Sequence, residues 1–328
     1  MSQASSLGSG CAFALAAGLM WGLVFAGPLL LPEYPAALQS FGRYLAFGLI
    51  ALPLAWLDRT ALRQLTRDDW LEAARLALVG NIVYYLFLAS AIQRAGGPLP
   101  TMIIGTLPVV IAIASNLRDA QRDGRLPWGR LAPSLLLIGA GIACVNHSEL
   151  AALRADPSAD LGAYALGALL AVGAVVCWTW YPLRNADWLR AHGQRNPRSW
   201  ATAQGVATLP LALLGFALWW AFVAWRGDAF AMPFGPRPAA FVSLMLAIGL
   251  FASWLGTMCW NEASQRLPTT LAGQLIVFET LSALGYAFAL RGRWPEPLSL
   301  LGIALLIAGV AWALQARPQP LAAEGHAG

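Results

Sequence analysis

The chain has 328 residues, of which 58% are hydrophobic and only 11% are charged. Ordinary soluble domains carry about 25% charged residues, so this composition excludes a soluble protein of the usual kind. The net charge of +5 comes from a sequence whose basic residues are all arginines, and these lie mostly in short segments between apolar runs. They form no basic stripe of the kind that binds nucleic acid. The composition therefore predicts a protein whose solvent is the lipid bilayer and which binds no nucleic acid.

The apolar runs begin at residue 11. Residues 11–31 contain no charged residue, and as a helix rising about 1.5 Å per residue they would cross about 30 Å of hydrocarbon. Nine further runs follow, joined by short segments rich in Pro, Gly and Asp. Helices are predicted because lipid offers no partner to an unpaired backbone group, and the runs lack the alternation of barrel strands. The predicted spans are 11–31, 36–57, 74–93, 98–117, 130–146, 161–182, 200–225, 239–261, 268–290 and 298–316.

The arginines predict the orientation of these ten spans. An even number of spans places both termini on one side of the membrane. If that side is the cytoplasm, its loops hold thirteen arginines and the opposite loops hold six, which is the bias that cytoplasmic loops show. The sequence therefore predicts a multi-pass protein of the bacterial inner membrane with both termini in the cytoplasm.

Short stretches of the first half recur about half the chain further on. Residues 91–94 (AIQR) resemble 263–266 (ASQR), and 140–143 (AGIA) resemble 308–311 (AGVA). Five helices is an odd number, so the second copy would be inverted relative to the first, and inverted repeats are typical of secondary transporters. The predicted layout is an N-terminal tail 1–10, a first five-helix repeat 11–146, an inter-repeat loop 147–160, a second five-helix repeat 161–316 and a C-terminal tail 317–328.

Several weak motifs point to one family when they are taken together. They are Trp21-Gly22, Arg43-Tyr44-Leu45, Leu52-Pro53-Leu54 and Phe278-Glu279. With these residues and the five-plus-five layout, residues 11–316 resemble the drug/metabolite transporter superfamily, specifically its EamA-type members. The resemblance implies an all-α membrane fold of ten transmembrane helices in two inverted five-helix repeats.

The resemblance also bears on function. It reaches the YddG-like amino-acid exporters, and so implies export of amino acids or similar small metabolites. The sequence departs from the family pattern where Thr280 replaces the proline common after the glutamate. Arg118 and Arg291 lie where the fourth and ninth helices often end in an acidic residue. Either the gradient of the solute itself or a proton gradient would drive transport.

Two ionisable residues fall deep inside predicted spans. A mid-membrane arginine costs about 2.5–3.5 kcal/mol on insertion scales. Arg43 is therefore predicted to hold a substrate carboxylate or to pair with Glu279, the alternative being that it extends to the headgroups. Glu279 is predicted to serve a proton-coupled step or, alternatively, to brace a helix crossing. Glu262 is four residues from Arg266, and an i,i+4 ion pair accounts for it.

The sequence is rich in tryptophan, with 15 residues. Those near span ends are typical of the membrane interface. Deeper aromatic side chains are predicted to line a central cavity and to stack on an apolar or aromatic substrate, although packing and contact with lipid are alternatives for each. The predicted substrate-binding residues are Trp21, Arg43, Tyr84, Tyr85, Trp178, Trp180, Tyr181, Trp254, Gln274 and Glu279.

No catalytic residue, metal site or cofactor is predicted. The three histidines lie outside the spans without metal-ligand spacing, and no phosphate-binding loop occurs. The predicted partners are a small-molecule substrate and the bilayer, with a proton as a possible coupling ion, and the sequence does not predict an oligomeric state. The alternatives are a drug or lipophilic-cation efflux transporter, a structural membrane protein, and an intramembrane enzyme, which would need a polar catalytic cluster on facing helices.

Overall fold

The computed structural model describes residues 3–95, 98–118, 127–154, 160–292 and 294–315, and within these ranges the regular elements are all helical. The α-helices are α1 (Gln3–Trp21), α2 (Ala26–Leu30), α3 (Ala36–Leu57), α4 (Arg59–Leu62), α5 (Arg67–Leu76), α6 (Tyr84–Ala95), α7 (Pro98–Ile104), α8 (Leu107–Arg118), α9 (Trp128–Arg154), α10 (Leu161–Ala191), α11 (Pro197–Arg226), α12 (Pro238–Ile248), α13 (Gly256–Arg266), α14 (Thr269–Leu275), α15 (Val277–Arg291) and α16 (Pro297–Gln315). A 3₁₀ turn, Gly22–Phe25, joins α1 to α2. Two π-helical segments, Ala77–Val83 and Gly249–Leu255, join α5 to α6 and α12 to α13.

Long apolar helices dominate the part of the chain that the structure describes. Seven are long and apolar enough to cross a membrane: Leu7–Leu30, Ala36–Leu57, Arg67–Ala95, Gly162–Ala191, Pro197–Arg226, Pro238–Arg266 and Leu271–Leu290. Three shorter apolar helices are Leu107–Arg118, Leu131–Cys144 and Pro297–Gly309. In chain order these helices overlap the ten predicted spans. The prediction of a helical membrane protein is confirmed, whereas the ten-helix inverted repeat stays a prediction.

Apolar side chains cover the outside of these helices as well as their contacts. Leu136 and Leu169 are 73% and 69% exposed, and Trp225 is 82% exposed. In water a continuous surface of this kind would drive aggregation. In a bilayer the same side chains contact lipid tails, so their exposure needs no further partner.

Two helices extend beyond the predicted spans. Helix α1 begins at Gln3, inside the predicted tail 1–10, and α9 continues to Arg154, inside the predicted loop 147–160. Hydropathy marks only the part of a helix that lies in lipid. Residues 149–153 are Glu, Leu and Ala, which favour helix whatever their hydropathy. They extend α9 beyond the part that lies in lipid. The C-terminal tail 317–328 and residues 155–159 lie outside the described residues.

The helices of the two halves pack on one another in a regular pattern. Helix α1 packs on α13 and α10 packs on α6, while α3 packs on α11, α8 on α14 and α9 on α16. If each span of the first half is matched to the span five places later, the α1–α13 contact corresponds to the α10–α6 contact. Each of the other three contacts then corresponds to itself. The irregular segments recur as well, since the π-helices occupy the third and eighth spans, and short breaks divide the fourth and ninth. A two-fold relation between the halves would produce this pattern.

Close helix contacts depend on glycine. At Gly80, in the first π-helix, an added Cβ would overlap the ring of Tyr181 on α10. The π-helical turn and the missing side chain together let α10 approach the third span. The position of Tyr181, which belongs to the predicted site, is therefore set by Gly80.

We expect Gly80→Ala to lower the free energy of unfolding by about 1–3 kcal/mol, because the added methyl group overpacks this contact. Thermal denaturation of the purified protein in detergent would measure the change. Gly139→Ala on α9 is the control, since nothing lies within 4 Å of the Cβ added there. Equal melting temperatures for the two variants would contradict this account of Gly80.

Candidate functional site

Arg43 lies in α3 with its side chain directed into the protein. It is 4% exposed, and its Nε donates a hydrogen bond to Ser253 Oγ at 3.0 Å. The guanidinium carbon lies 4.8 Å from the ring centre of Tyr44 and 4.6 Å from that of Tyr85, a distance at which aromatic rings attract a cation. Nη1 is buried without a hydrogen-bond partner. The side chain is thus held inward by neighbours from both halves, and one of its donors is available.

Glu279 lies in the first turn of α15, directly after the break at Ile276. It is 1% exposed, and its Oε2 is buried without a hydrogen-bond partner. Gly18 on α1 brings the two helices together, since a Cβ added there would lie 3.0 Å from the backbone nitrogen of Glu279. The close approach of α1 therefore packs the first helix directly against the backbone of α15 at Glu279.

Arg43 and Glu279 interact electrostatically, yet they form no ion pair among the described residues. The first lies in the first half of the chain and the second lies in the second half. A buried charge usually has a partner of opposite charge in contact with it, because desolvation is costly. Here a buried arginine and a buried carboxyl group lie in one region, and each keeps an unpaired polar atom.

Other unpaired polar atoms surround these charges. The hydroxyl of Tyr84 is buried without a partner and lies in the field of both Arg43 and Glu279. The indole N–H of Trp178 is directed at the Glu279 carboxyl group and interacts with it. An unsatisfied buried polar group costs about 1–3 kcal/mol, so several in one place make a candidate site where a ligand could supply the missing partners. We name Arg43, Tyr84, Tyr85, Trp178 and Glu279 the central cluster.

Gln274 lies across the helix break from Glu279, on α14. It is 0% exposed, and neither its Oε1 nor its Nε2 has a hydrogen-bond partner. Helix α14 packs on α8 of the first half. Gln274 is therefore a second unpaired polar group of the ninth span, close in sequence to the central cluster.

The aromatic rings of the predicted site pack on one another. Trp178 stacks on Tyr84 with ring centres 4.7 Å apart and on Tyr181 at 4.9 Å. Trp21 meets Trp178 edge-on at 5.0 Å and lies 5.2 Å from Trp260. These contacts occupy ring surfaces that were predicted to stack on a substrate. In this conformation the ring of Trp178 is used for packing, and its N–H is directed at Glu279.

The structure does not bring Trp180 and Trp254 to the central cluster. Trp180 is two positions from Trp178, and two residues of an α-helix point about 200° apart. Trp254 donates from Nε1 to Thr202 Oγ1 on α11 at 3.2 Å. The sequence indicated how deep these side chains lie in their spans but not the direction in which they point, and only Trp178 and Tyr181 of α10 share a direction.

A chain of hydrogen bonds that sequence reasoning missed leads away from the cluster. The hydroxyl of Tyr181 donates to Gln204 Oε1 (2.9 Å), and Gln204 Nε2 donates to Asn185 Oδ1 (3.1 Å). Asn185 Oδ1 also accepts from Trp200 Nε1 (2.9 Å), and Asn185 Nδ2 donates to Asn261 Oδ1 (2.8 Å). The available signal was the presence of amide side chains within or beside apolar spans, where they need partners.

Ion pairs join the two halves at the arginine-rich end of the molecule. In each of three, a carboxylate of the first half meets an arginine of the second half, and Asp69 also accepts from Trp188 Nε1 at 2.9 Å. The pairs are Glu72–Arg184 (2.6 Å), Asp58–Arg198 (3.4 Å) and Asp69–Arg195 (3.6 Å). A cleft of about 510 Å³ lies here, and Asp69, Glu72, Arg184 and Trp188 are among its lining residues. The predicted pair of Glu262 and Arg266 is confirmed at the same end.

Comparison with known proteins gives relatives along nearly the whole chain. The chain is 56% identical over 311 residues to the inner membrane protein YtfF of Escherichia coli (strain K12), covering 95% of this chain and 96% of that protein. It is 27% identical over 304 residues to the uncharacterized transporter YwfM of Bacillus subtilis (strain 168), covering 91% of each. A stretch of 136 residues is 32% identical to a probable terminal-alkyne amino-acid exporter of Streptantibioticus cattleyicolor, covering 36% of this chain and 46% of that protein.

A family profile and a solved structure agree with these relatives. One crystal structure has a TM-score of 0.68 over 93% of this chain and 97% of its own, and at 16% identity it shows the fold alone. Residues 8–122 match the profile of the EamA-like transporter family. With the full-length similarity to YtfF, this match identifies the protein as a multi-pass membrane transporter. The chain belongs to the EamA-like transporter family.

Proposed function

We propose that the protein is a secondary transporter that exports amino acids or similar small metabolites across the bacterial inner membrane. The observation that carries the proposal is the central cluster, where Arg43 and Glu279 are buried on opposite halves with polar atoms left unpaired. Ionisable groups inside a membrane are costly and usually mark the path of a substrate or ion. A partial relative whose name is probable terminal-alkyne amino-acid exporter supports the choice of substrate.

The packing of the two halves supports alternating access. The α1–α13 contact corresponds to the α6–α10 contact when the halves are matched, which is consistent with two inverted five-helix repeats. Such repeats place the substrate site at their interface. Arg43 belongs to the first predicted repeat and Glu279 to the second. Rocking of one repeat against the other would therefore move the two charges relative to each other.

The ends of the molecule would open in turn. We place the arginine-rich end in the cytoplasm, as the positive-inside rule requires, so that the ion pairs Glu72–Arg184, Asp58–Arg198 and Asp69–Arg195 hold the cytoplasmic side closed. The 510 Å³ cleft beside them would be the cytoplasmic entrance. Entry of a solute would require these pairs to separate.

The main alternative, efflux of lipophilic cations, fits the cluster less well. A cation could neutralise Glu279, but it would leave Arg43 buried without a counter-charge. An unpaired buried charge is strongly unfavourable. A solute that carries both charges, as an amino acid does, satisfies both residues.

The proposal is tested by efflux of radiolabelled amino acids from proteoliposomes that contain the purified protein. We expect saturable efflux that unlabelled amino acids inhibit by competition. Arg43→Gln and Glu279→Gln should each reduce this efflux at least about tenfold, which is the effect of losing 1.4 kcal/mol of binding. Glu262→Gln is the matched control, because this glutamate pairs with Arg266 at the helix end. Absence of efflux for every amino acid from correctly folded protein would refute the proposal.

Proton coupling makes a separate prediction about Glu279, whose charged or polar neighbours are Arg43, Tyr84 and Trp178. If its carboxylate carries the coupling proton, an imposed pH gradient changes the efflux rate of the wild-type protein. The rate of Glu279→Gln would not respond, because a glutamine cannot take up a proton. Measurement of efflux with and without the gradient decides the question. If Glu279→Gln transports at the wild-type rate and responds to the gradient as the wild-type protein does, coupling through this residue is excluded.

The ion pairs predict the effect of exchanging charges. Glu72→Arg and Arg184→Glu should each reduce efflux several-fold, because like charges then face one another at the closed end. The double exchange Glu72→Arg/Arg184→Glu should recover most of the activity, since it restores an attractive pair. A double variant no more active than the single variants would show that this pair does not hold the halves together.

A further inference from the structure

We propose that the central cluster recognises the two charged groups that all α-amino acids share, with Arg43 binding the carboxylate and Glu279 binding the α-ammonium group. This inference rests on the proposed function and adds which chemical groups the site requires. It differs from the prediction that aromatic rings select the substrate by stacking on its side chain.

The donor side of the site is Arg43. Its Nε is used by Ser253 Oγ, and the rings of Tyr44 and Tyr85 lie beside the guanidinium group. These three contacts fix the plane of the group, so the unpaired Nη1 points in one direction. A fixed cationic donor of this kind suits a carboxylate, since guanidinium and carboxylate match in charge and geometry.

The acceptor side of the site is Glu279. Its unpaired Oε2 can accept a hydrogen bond from an ammonium group, which carries three N–H donors. The unpaired hydroxyl of Tyr84 lies in the field of both charged residues and can serve as a further acceptor or donor. The site therefore offers a carboxyl acceptor and a cationic donor in one region.

The absence of an ion pair between the two residues explains why a zwitterion fits. Contacts of α1 and α6 place the two residues in one region, since Gly18 packs on the backbone of Glu279 and Trp21, one turn further on, meets Trp178. Trp178 stacks on Tyr84, and the adjacent Tyr85 lies beside the Arg43 guanidinium group. No ion pair joins Arg43 to Glu279 among the residues described. A zwitterion bridges them and leaves neither charge unpaired. A solute without the carboxylate or without the ammonium group would leave one buried charge without a partner, and a site built for a polar group discriminates strongly against a solute that lacks it.

The side chain of the solute contributes little to recognition in this arrangement. Trp178 already stacks on Tyr84 and Tyr181 and is met edge-on by Trp21. The ring of Trp178 is thus used for packing, and its N–H is directed at Glu279. We therefore expect strict selection for the two charged groups together with a broad range of side chains.

Leucine and two truncated analogues test the assignment in proteoliposomes. In the wild-type protein, unlabelled leucine should compete for efflux of radiolabelled leucine. 3-Methylbutylamine lacks the carboxylate, 4-methylpentanoate lacks the ammonium group, and each should compete at least about 100-fold less well. This arm needs no variant, so it cannot fail because a variant does not fold.

Two variants then assign each group to its residue. Arg43→Gln should bring 3-methylbutylamine close to leucine as a competitor, and Glu279→Gln should do the same for 4-methylpentanoate. Glu262→Gln should keep the selectivity of the wild-type protein. The reverse pairing of variants and analogues would overturn the assignment.

The outcomes separate this inference from the proposed function. If no amino acid shows saturable efflux, the proposed function fails. If leucine efflux is saturable but either analogue competes as well as leucine does, the two-group site is overturned while the protein remains a transporter. Efflux of other amino acids without leucine would also overturn it, because a site that reads only the shared groups accepts leucine.

Discussion

A buried arginine and a buried carboxyl group that lie near one another without an ion pair are the constraint on which the rest of the structure depends. Arg43 and Glu279 lie on opposite halves of the chain, where desolvation makes an unpaired charge costly. Ser253 and the rings of Tyr44 and Tyr85 stabilise the arginine from the second and first halves. The close approach of α1 at Gly18 encloses the glutamate. Separation of the two charges is unfavourable for the empty protein and useful for binding a solute that carries both.

Polar side chains connect this region to one end of the molecule. The amides of Gln204, Asn185 and Asn261 form a hydrogen-bonded chain that begins at Tyr181. Trp200 donates to the same Asn185 and stacks on Trp188 with ring centres 3.4 Å apart. Trp188 in turn donates to Asp69, at the ion pairs between the halves. Contacts of this kind have two discrete arrangements, formed or broken, and can couple the closing of one end to the state of the central cluster.

The sequence predicted the helices well because hydropathy reports directly on burial in lipid. It predicted less about directions and irregularities. The π-helices at Ala77–Val83 and Gly249–Leu255 lie in mostly apolar stretches, and their polar residues, Asn81 and Ser253, do not mark a change of helix type. Trp180 was grouped with Trp178 because both lie at similar depth, although they point apart. Ser253, which bonds Arg43, was missed because a serine in an apolar helix is usually a packing residue.

The central claim is that Arg43 and Glu279 together bind the solute, and ligand-induced stabilisation tests it most directly. A ligand that binds only the folded protein stabilises it by about 2.7 kcal/mol at 100 times its dissociation constant. The melting temperature of the wild-type protein in detergent should therefore rise as leucine is added, and that of Arg43→Gln/Glu279→Gln should not. An equal rise in both proteins would show that the solute binds elsewhere and would contradict the account.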